Sequence, residues 1–115
     1  MAKREPEAGQ RRTVDASVLD KLIEEATVDC YDESEQRMGF YNMLEEHLGL
    51  PFETHILGVQ VAVERLDLTD AQEIVATCVR GRTRQAIPIL DLPLPVPPPR
   101  GAEWIEAYRR WARRG

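Results

Sequence analysis

The chain has 115 residues and a formal net charge of −5, with 43% hydrophobic and 30% charged side chains. That is one domain's length, enough to bury roughly two-thirds of the unfolded surface without metal or disulfide staples. No apolar run approaches the ~20 residues of a bilayer-spanning helix, and the opening MAKREPEAGQRR lacks the apolar core of a secretory signal. Two cysteines, Cys30 and Cys78, are too few for a disulfide framework and lack zinc-ligand spacing, so the expectation is a cytoplasmic protein with free thiols and no membrane partner. The mild net charge hides an asymmetry. Residues 20–73 carry fourteen acids against three bases, and residues 74–115 carry eight arginines against three acids. An acidic centre repels phosphate, which argues against its contact with nucleic acid.

In chain order, residues 1–14 are polar and read as a disordered leader. Ser17-x-x-Asp20 resembles a capping box, and Val18, Leu19, Leu22, Ile23 and Ala26 form an apolar stripe at helical spacing that ends near Val28. A second helix is predicted from Tyr31 to Leu48, with Met38, Tyr41, Leu44 and Leu48 on one face. Gly39 in its middle implies close approach of another element; Gly49 reads as a C-terminal cap and Pro51 prevents continuation. Strands are expected at Phe52–Ile56, along the alternating Val59, Val61 and Val63, at Ile74–Arg80 and at Thr83–Ile87, the last two joined at Gly81. Pro88 confines Ile89–Leu92 to an edge. PLPVPPP, residues 93–99, reads as a polyproline crossing into a final helix whose Trp104, Tyr108 and Trp111 share a face. The fold class is α+β: two N-terminal helices, a small twisted antiparallel sheet or SH3-like barrel of four to five strands, a polyproline crossing and a C-terminal helix.

The densest polar cluster is Asp29-Cys30-Tyr31-Asp32-Glu33-Ser34-Glu35, four carboxylates at the start of the second helix. They suit helix capping and the positive end of the helix dipole. They equally suit a hard cation such as Ca²⁺, which takes six to eight oxygens. No EF-hand pattern is present. Asp67 and Asp70, in a turn between strands, are either solvated or further oxygen donors. Glu45 and Glu46 lie about 16 Å along the helix from Glu35, too far to share its ion.

Enzyme chemistry finds little footing. His47 and His55 lie on different elements, Ser17 and Ser34 sit in no nucleophile elbow, and acidic neighbours make Cys30 a poor nucleophile. The arginines around Trp111 suit either nucleic acid or docking of the last helix, and the polyproline run suits either a peptide-recognition module or a tether.

Two stretches carry a family resemblance: TVDCYDESEQRMGFYNMLEEHLGLPF, residues 27–52, and ILDLPLPVPPPRGAEWIEAYRRW, residues 89–111. They resemble the CcbP-like, non-EF-hand calcium-binding proteins of cyanobacteria and other bacteria. The resemblance implies a single calcium-binding-type domain over residues 15–115, with Ca²⁺ held on an acidic surface and no reaction catalysed. Carried over by position, Asp29, Tyr31, Glu33, Glu35 and Gln36 follow the family's D-x-Y-x-E-x-E-Q pattern, Gly39 and Tyr41 its next motif, and Glu45 and Glu46 a late acidic pair. The chain departs from the family in a short interval after Phe52 and in Gln60, Ala62 and Arg65, where acids are common. The expected metal ligands are Asp29, Asp32, Glu33 and Glu35, with Asp67 and Asp70 as contributors. The expected function is a calcium buffer or sensor. The alternative is an interaction module of the same fold that has lost the ion and binds a basic protein partner or a second copy.

Overall fold

Two helices open the fold, α1 (Ala16–Thr27) and α2 (Glu33–His47). The structure, a computed structural model, describes residues 15–114, so the leader expected at 1–14 lies outside the described residues. Asp15, not Ser17, caps α1: its carboxylate accepts from the Ser17 amide at 3.1 Å. Ser17 is already inside the first turn, where its own N–H is one of the orphan donors that need a partner. Ile23 and Ala26 are buried, and Leu19 and Leu22 pack beside them; Val18 falls outside this stripe and is exposed.

The two helices meet backbone to side of helix at Gly39. A Cβ there would overlap the Ala26 carbonyl oxygen, which is why the position carries no side chain. This seating sets the rotation of α2. Its buried face is Phe40 and Leu44, continued by Leu48, with Tyr41 and Met43 half-buried. Met38 stands about 200° round the helix from Phe40, at roughly 100° per residue, and is exposed, contrary to the predicted face. Gly49 is not a left-handed cap either. Leu48 turns the chain out in an extended conformation, and the Gly49 amide donates to the Arg100 carbonyl at 2.7 Å. The close partner of this helix end is Gly101, whose φ of +85° and contact with the His47 carbonyl exclude a side chain.

The strands β1 (Phe52–Ile56), β2 (Val59–Leu68), β3 (Ile74–Arg80) and β4 (Thr83–Pro88) form an open antiparallel meander in sequence order, not a closed barrel. The register shifts between Val63 and Arg65, the mark of a bulge. That extra residue lets Val63 and Leu66, three apart, both face the core, and breaks the period of two begun by the valines. Pro88 ends β4 opposite Val75, on an edge strand where its missing N–H is tolerated. Ile89–Asp91 is a single 3₁₀ turn, not a fifth strand. Residues 93–99 have no helix or strand, and a cis bond stands at Val96–Pro97. They act as the tether, anchored where the buried Thr54 hydroxyl donates to the Pro93 carbonyl at 2.7 Å.

The last helix, α3 (Glu103–Ala112), docks Trp104, Ile105, Tyr108 and Trp111 into the core. The Phe40 ring lies 5.3 Å from Tyr108 and 5.4 Å from Trp111, centroid to centroid. Ile74, Ala76 and Cys78 of β3 complete the same cluster from the sheet. Two of the C-terminal arginines serve this docking: Arg109 donates to the Leu90 carbonyl at 3.0 Å, and Arg110 pairs with Asp20 of α1 at 2.9 Å.

Gly39→Ala is expected to destabilise the fold by about 3 kcal/mol, because backbone atoms must move to admit one methyl. Gly49→Ala, whose added Cβ meets Arg100 at an ordinary 3.6 Å, stays within about 1 kcal/mol. Urea unfolding of both variants makes the comparison.

Candidate metal centre

The acidic segment forms the turn between α1 and α2. Asp29 takes a left-handed conformation, φ +62°, which Asp tolerates better than most residues. Asp32 is the N-cap of α2, and its Oδ1 accepts from the Glu35 amide at 2.8 Å. Glu35 answers by accepting from the Tyr31 amide through Oε1 at 2.6 Å. This is a capping box displaced by one residue, with Glu35 reaching the residue before the cap. Glu33 pairs through Oε2 with Arg37 at 3.2 Å, one helical turn on. Asp32, Glu33 and Glu35 therefore each use one oxygen on their own helix. The helix starts at Glu33, two residues later than predicted, because Asp32 is the cap.

Arg37 is the residue the sequence reading passed over. The i, i+4 spacing from Glu33 was the available signal. Its guanidinium lies 5.3 Å from the Trp111 ring centroid, within cation–π range. It lines a cleft of about 360 Å³ with Ala71, Gln72, Glu73 and Tyr108. Next to it, Gln36 accepts from the Trp111 indole N–H at 2.8 Å. The start of α2 is thus tied directly to α3.

Asp67 belongs to β2 rather than to a loop. Its Oδ2 accepts from Arg65 Nε at 3.0 Å and from the Thr77 hydroxyl at 3.1 Å. Asp70 is exposed in the β2–β3 turn, which is closed on itself by Thr69 and Glu73. The four acids of the α1–α2 turn are neighbours along the chain, while Asp67 and Asp70 stand on another element. Among the described residues, no three His, Cys, Asp or Glu side chains converge closely enough to hold a metal ion. Glu45 is engaged elsewhere: the Tyr41 hydroxyl lies 3.2 Å from Glu45 Oε2 and 3.3 Å from the Leu66 carbonyl. Burial, and then the Glu45 carboxylate, push the Tyr41 phenol above its ordinary pKa.

The groups that would suggest nucleophilic chemistry are otherwise occupied. His47 stacks on Trp104 with centroids 5.2 Å apart. Cys78 is buried, and burial raises its thiol pKa, which lowers its reactivity. The residue types of the acidic turn match a hard cation, and a model of the CcbP family, described as calcium binding, matches residues 20–112.

The chain belongs to the CcbP calcium-binding family. The matched span runs from α1 to the end of α3 and takes in every strand between them. No curated protein and no solved structure matches the chain significantly. The family is described by binding and not by a reaction. The donors of the acidic turn fit calcium in kind, since all are hard carboxylate oxygens. Among the described residues, no hydrogen bond or ion pair engages Asp32 Oδ2, Glu33 Oε1, Glu35 Oε2 or the Asp29 carboxylate. The side chains are not gathered, so an ion would have to draw them together.

Asp32→Ala is expected to lose about 1 kcal/mol of stability as the cap is removed, and Asp32→Asn to retain most of it; urea denaturation at neutral pH measures both. Tyr41 gives a test at high pH. A phenol whose pKa is raised on folding contributes stability that is complete below the unfolded value and lost as pH rises through the folded one. Alkaline melts should therefore fall less steeply for Tyr41→Phe than for the natural chain.

Proposed function

We propose that the chain is a small calcium-binding protein whose ion sits at the α1–α2 turn, held by Asp29, Asp32, Glu33 and Glu35. The observation that carries this is the concentration of four exposed carboxylates on one turn of a family member described as calcium binding. Clustered carboxylates repel one another, and a divalent ion converts that repulsion into attraction. The dipole of α2 works the other way: its positive N-terminal end favours the carboxylates but opposes the cation. An ion that must gather its own ligands and work against a helix N-terminus belongs to the weak end of calcium sites, on the order of 10⁻⁴ M or above. That range suits a buffer of high capacity and fast exchange.

Asp67 and Asp70 enter this reading as outer contributors. Asp70 is exposed, and Asp67 has Oδ1 outside the hydrogen bonds to Arg65 and Thr77. They add negative potential more readily than direct ligands, because they stand on a separate element. The free thiols Cys30 and Cys78 suit a reducing cytoplasm, and no described helix is long and apolar enough to cross a membrane.

Thermal melts of the intact chain in EDTA, millimolar Mg²⁺ and millimolar Ca²⁺ test the proposal. Calcium is expected to raise Tm with ligand concentration, following RT ln(1 + [L]/Kd). Asp29→Ala and Glu35→Ala should each shrink the rise. Superimposable melts in EDTA and calcium would overturn the reading and leave the ion-free interaction module, with a basic partner, as the better account.

A further inference from the structure

The two edges of the sheet are unlike. β4 carries Arg84 and Pro88, residue kinds that discourage a further strand from pairing. β1 carries no such guard: Phe52-Glu53-Thr54-His55-Ile56 runs without proline, lysine, arginine or bulge. The β1–β2 hairpin decides which backbone groups of β1 remain. Ile56 pairs with Val59 across Leu57 and Gly58, whose φ values of +52° and +79° make a type I′ turn. The closing pair of such a turn bonds inward. By alternation, Phe52, Thr54 and Ile56 direct their N–H and C=O groups to β2, and Glu53 and His55 direct theirs outward. Among the described residues, no further backbone hydrogen bond reaches this outer edge, and the side chains of Glu53 and His55 are exposed. Leu57 is the second observation. It is 97% exposed and holds a left-handed conformation that Asn or Gly adopts at less cost. Its side chain serves neither the turn nor the core of its own chain.

We propose that β1 is a self-pairing edge, along which two copies of the chain join antiparallel about a two-fold axis through Thr54. The outward groups must face one another, so Glu53 meets the partner's Glu53, or His55 meets the partner's His55, or Glu53 meets the partner's His55. The first sets like charges together. The second leaves Glu53 opposite the apolar Leu57. The third places a carboxylate against an imidazole on both sides of the axis, and Glu53 keeps Oε2 for it, since Gln60 Nε2 donates to Oε1. In that register Phe52 faces the partner's Ile56, and Leu57 faces the partner's exposed Pro51. The charges and the stray leucine thus select the same arrangement, an isologous contact that continues the sheet through both copies. It uses nothing of the acidic turn and does not depend on the calcium reading.

Sedimentation velocity of the intact chain in EDTA, from about 10 µM to about 1 mM, tests the proposal. The natural chain is expected to form a reversible dimer with Kd on the order of 10⁻⁴ M, because one short strand on each side is below the size of a permanent interface. Glu53→Lys and His55→Glu should each weaken it about tenfold. Mixed in equal amounts, the two variants should pair with each other, because each altered residue then faces its complement. Leu57→Asn should weaken the dimer about tenfold while the melting temperature of the monomer holds or rises. Arg84→Gln, on the opposite edge, should change Kd by less than about twofold. Circular dichroism checks folding, and if either charge variant does not fold, Leu57→Asn decides. A chain that is monomeric throughout, a dimer indifferent to the β1 and Leu57 variants, or charge variants that do not recover on mixing would overturn the proposal.

Discussion

The contact between Gly39 and the Ala26 carbonyl decides how the rest of the molecule is arranged. A helix that must present a bare backbone to its neighbour has one allowed rotation. That rotation sends Phe40 and Leu44 into the core and Met38 to solvent. Phe40 then becomes the surface on which Tyr108 and Trp111 stack, and α3 takes its place through those rings. The same rotation brings Gln36 and Arg37 under Trp111 and leaves Glu33 and Glu35 facing outward. One missing methyl group thus orders the aromatic core and, a turn away, the acidic surface.

The far end of α2 follows the same logic with a second glycine. Gly101 lies against the His47 carbonyl in a left-handed conformation, and Gly49 bonds to Arg100. The polyproline tether therefore enters α3 from a fixed point on α2. Held at both ends, α3 has little freedom to shift against α2. Gln36 and Arg37 contact Trp111 directly, which ties the opening of α2 to the end of α3.

Local chemistry was readable in the sequence wherever one residue decides the outcome. Gly39 announced a close approach, Pro51 and Pro88 marked the limits of elements, and Trp104, Tyr108 and Trp111 announced a docked helix. What failed depended on partners distant in sequence. The buried face of α2 was misread because Met38, Tyr41, Leu44 and Leu48 form a plausible stripe by themselves, and only the seating on α1 rejects it. Gly49 looked like a cap because its partner, Arg100, lies far along the chain. The bulge in β2 left no mark in the alternation of valines, yet it allows Val63 and Leu66 to share a face and places Asp67 within a strand. For the candidate site, the acids and their capping role were legible, and Asp32 is the cap; the reach of Glu35 back to the Tyr31 amide was not, because it depends on the backbone path of the turn.

Capping and ion binding are usually weighed as competing explanations for acids at a helix start, but under the proposed function they would be two states of the same side chains. A carboxylate has two oxygens, and the cap of α2 uses one from Asp32 and one from Glu35. The remaining oxygens point to water without loss, since exposed carboxylates are well solvated. Under the proposed function, calcium need not unmake the helix start to bind. An ion at the proposed site would have to gather the four side chains, two of them already oriented by their capping hydrogen bonds to backbone amides, and draw Glu33 from Arg37. The first condition lowers the ordering entropy of binding, because Asp32 and Glu35 are partly fixed before the ion arrives. The second raises the cost by the strength of one exposed ion pair, which is small. The helix dipole adds its own opposition. A site built as proposed would gain stability in the empty state and give up affinity in the filled one, the balance a reversible calcium store requires.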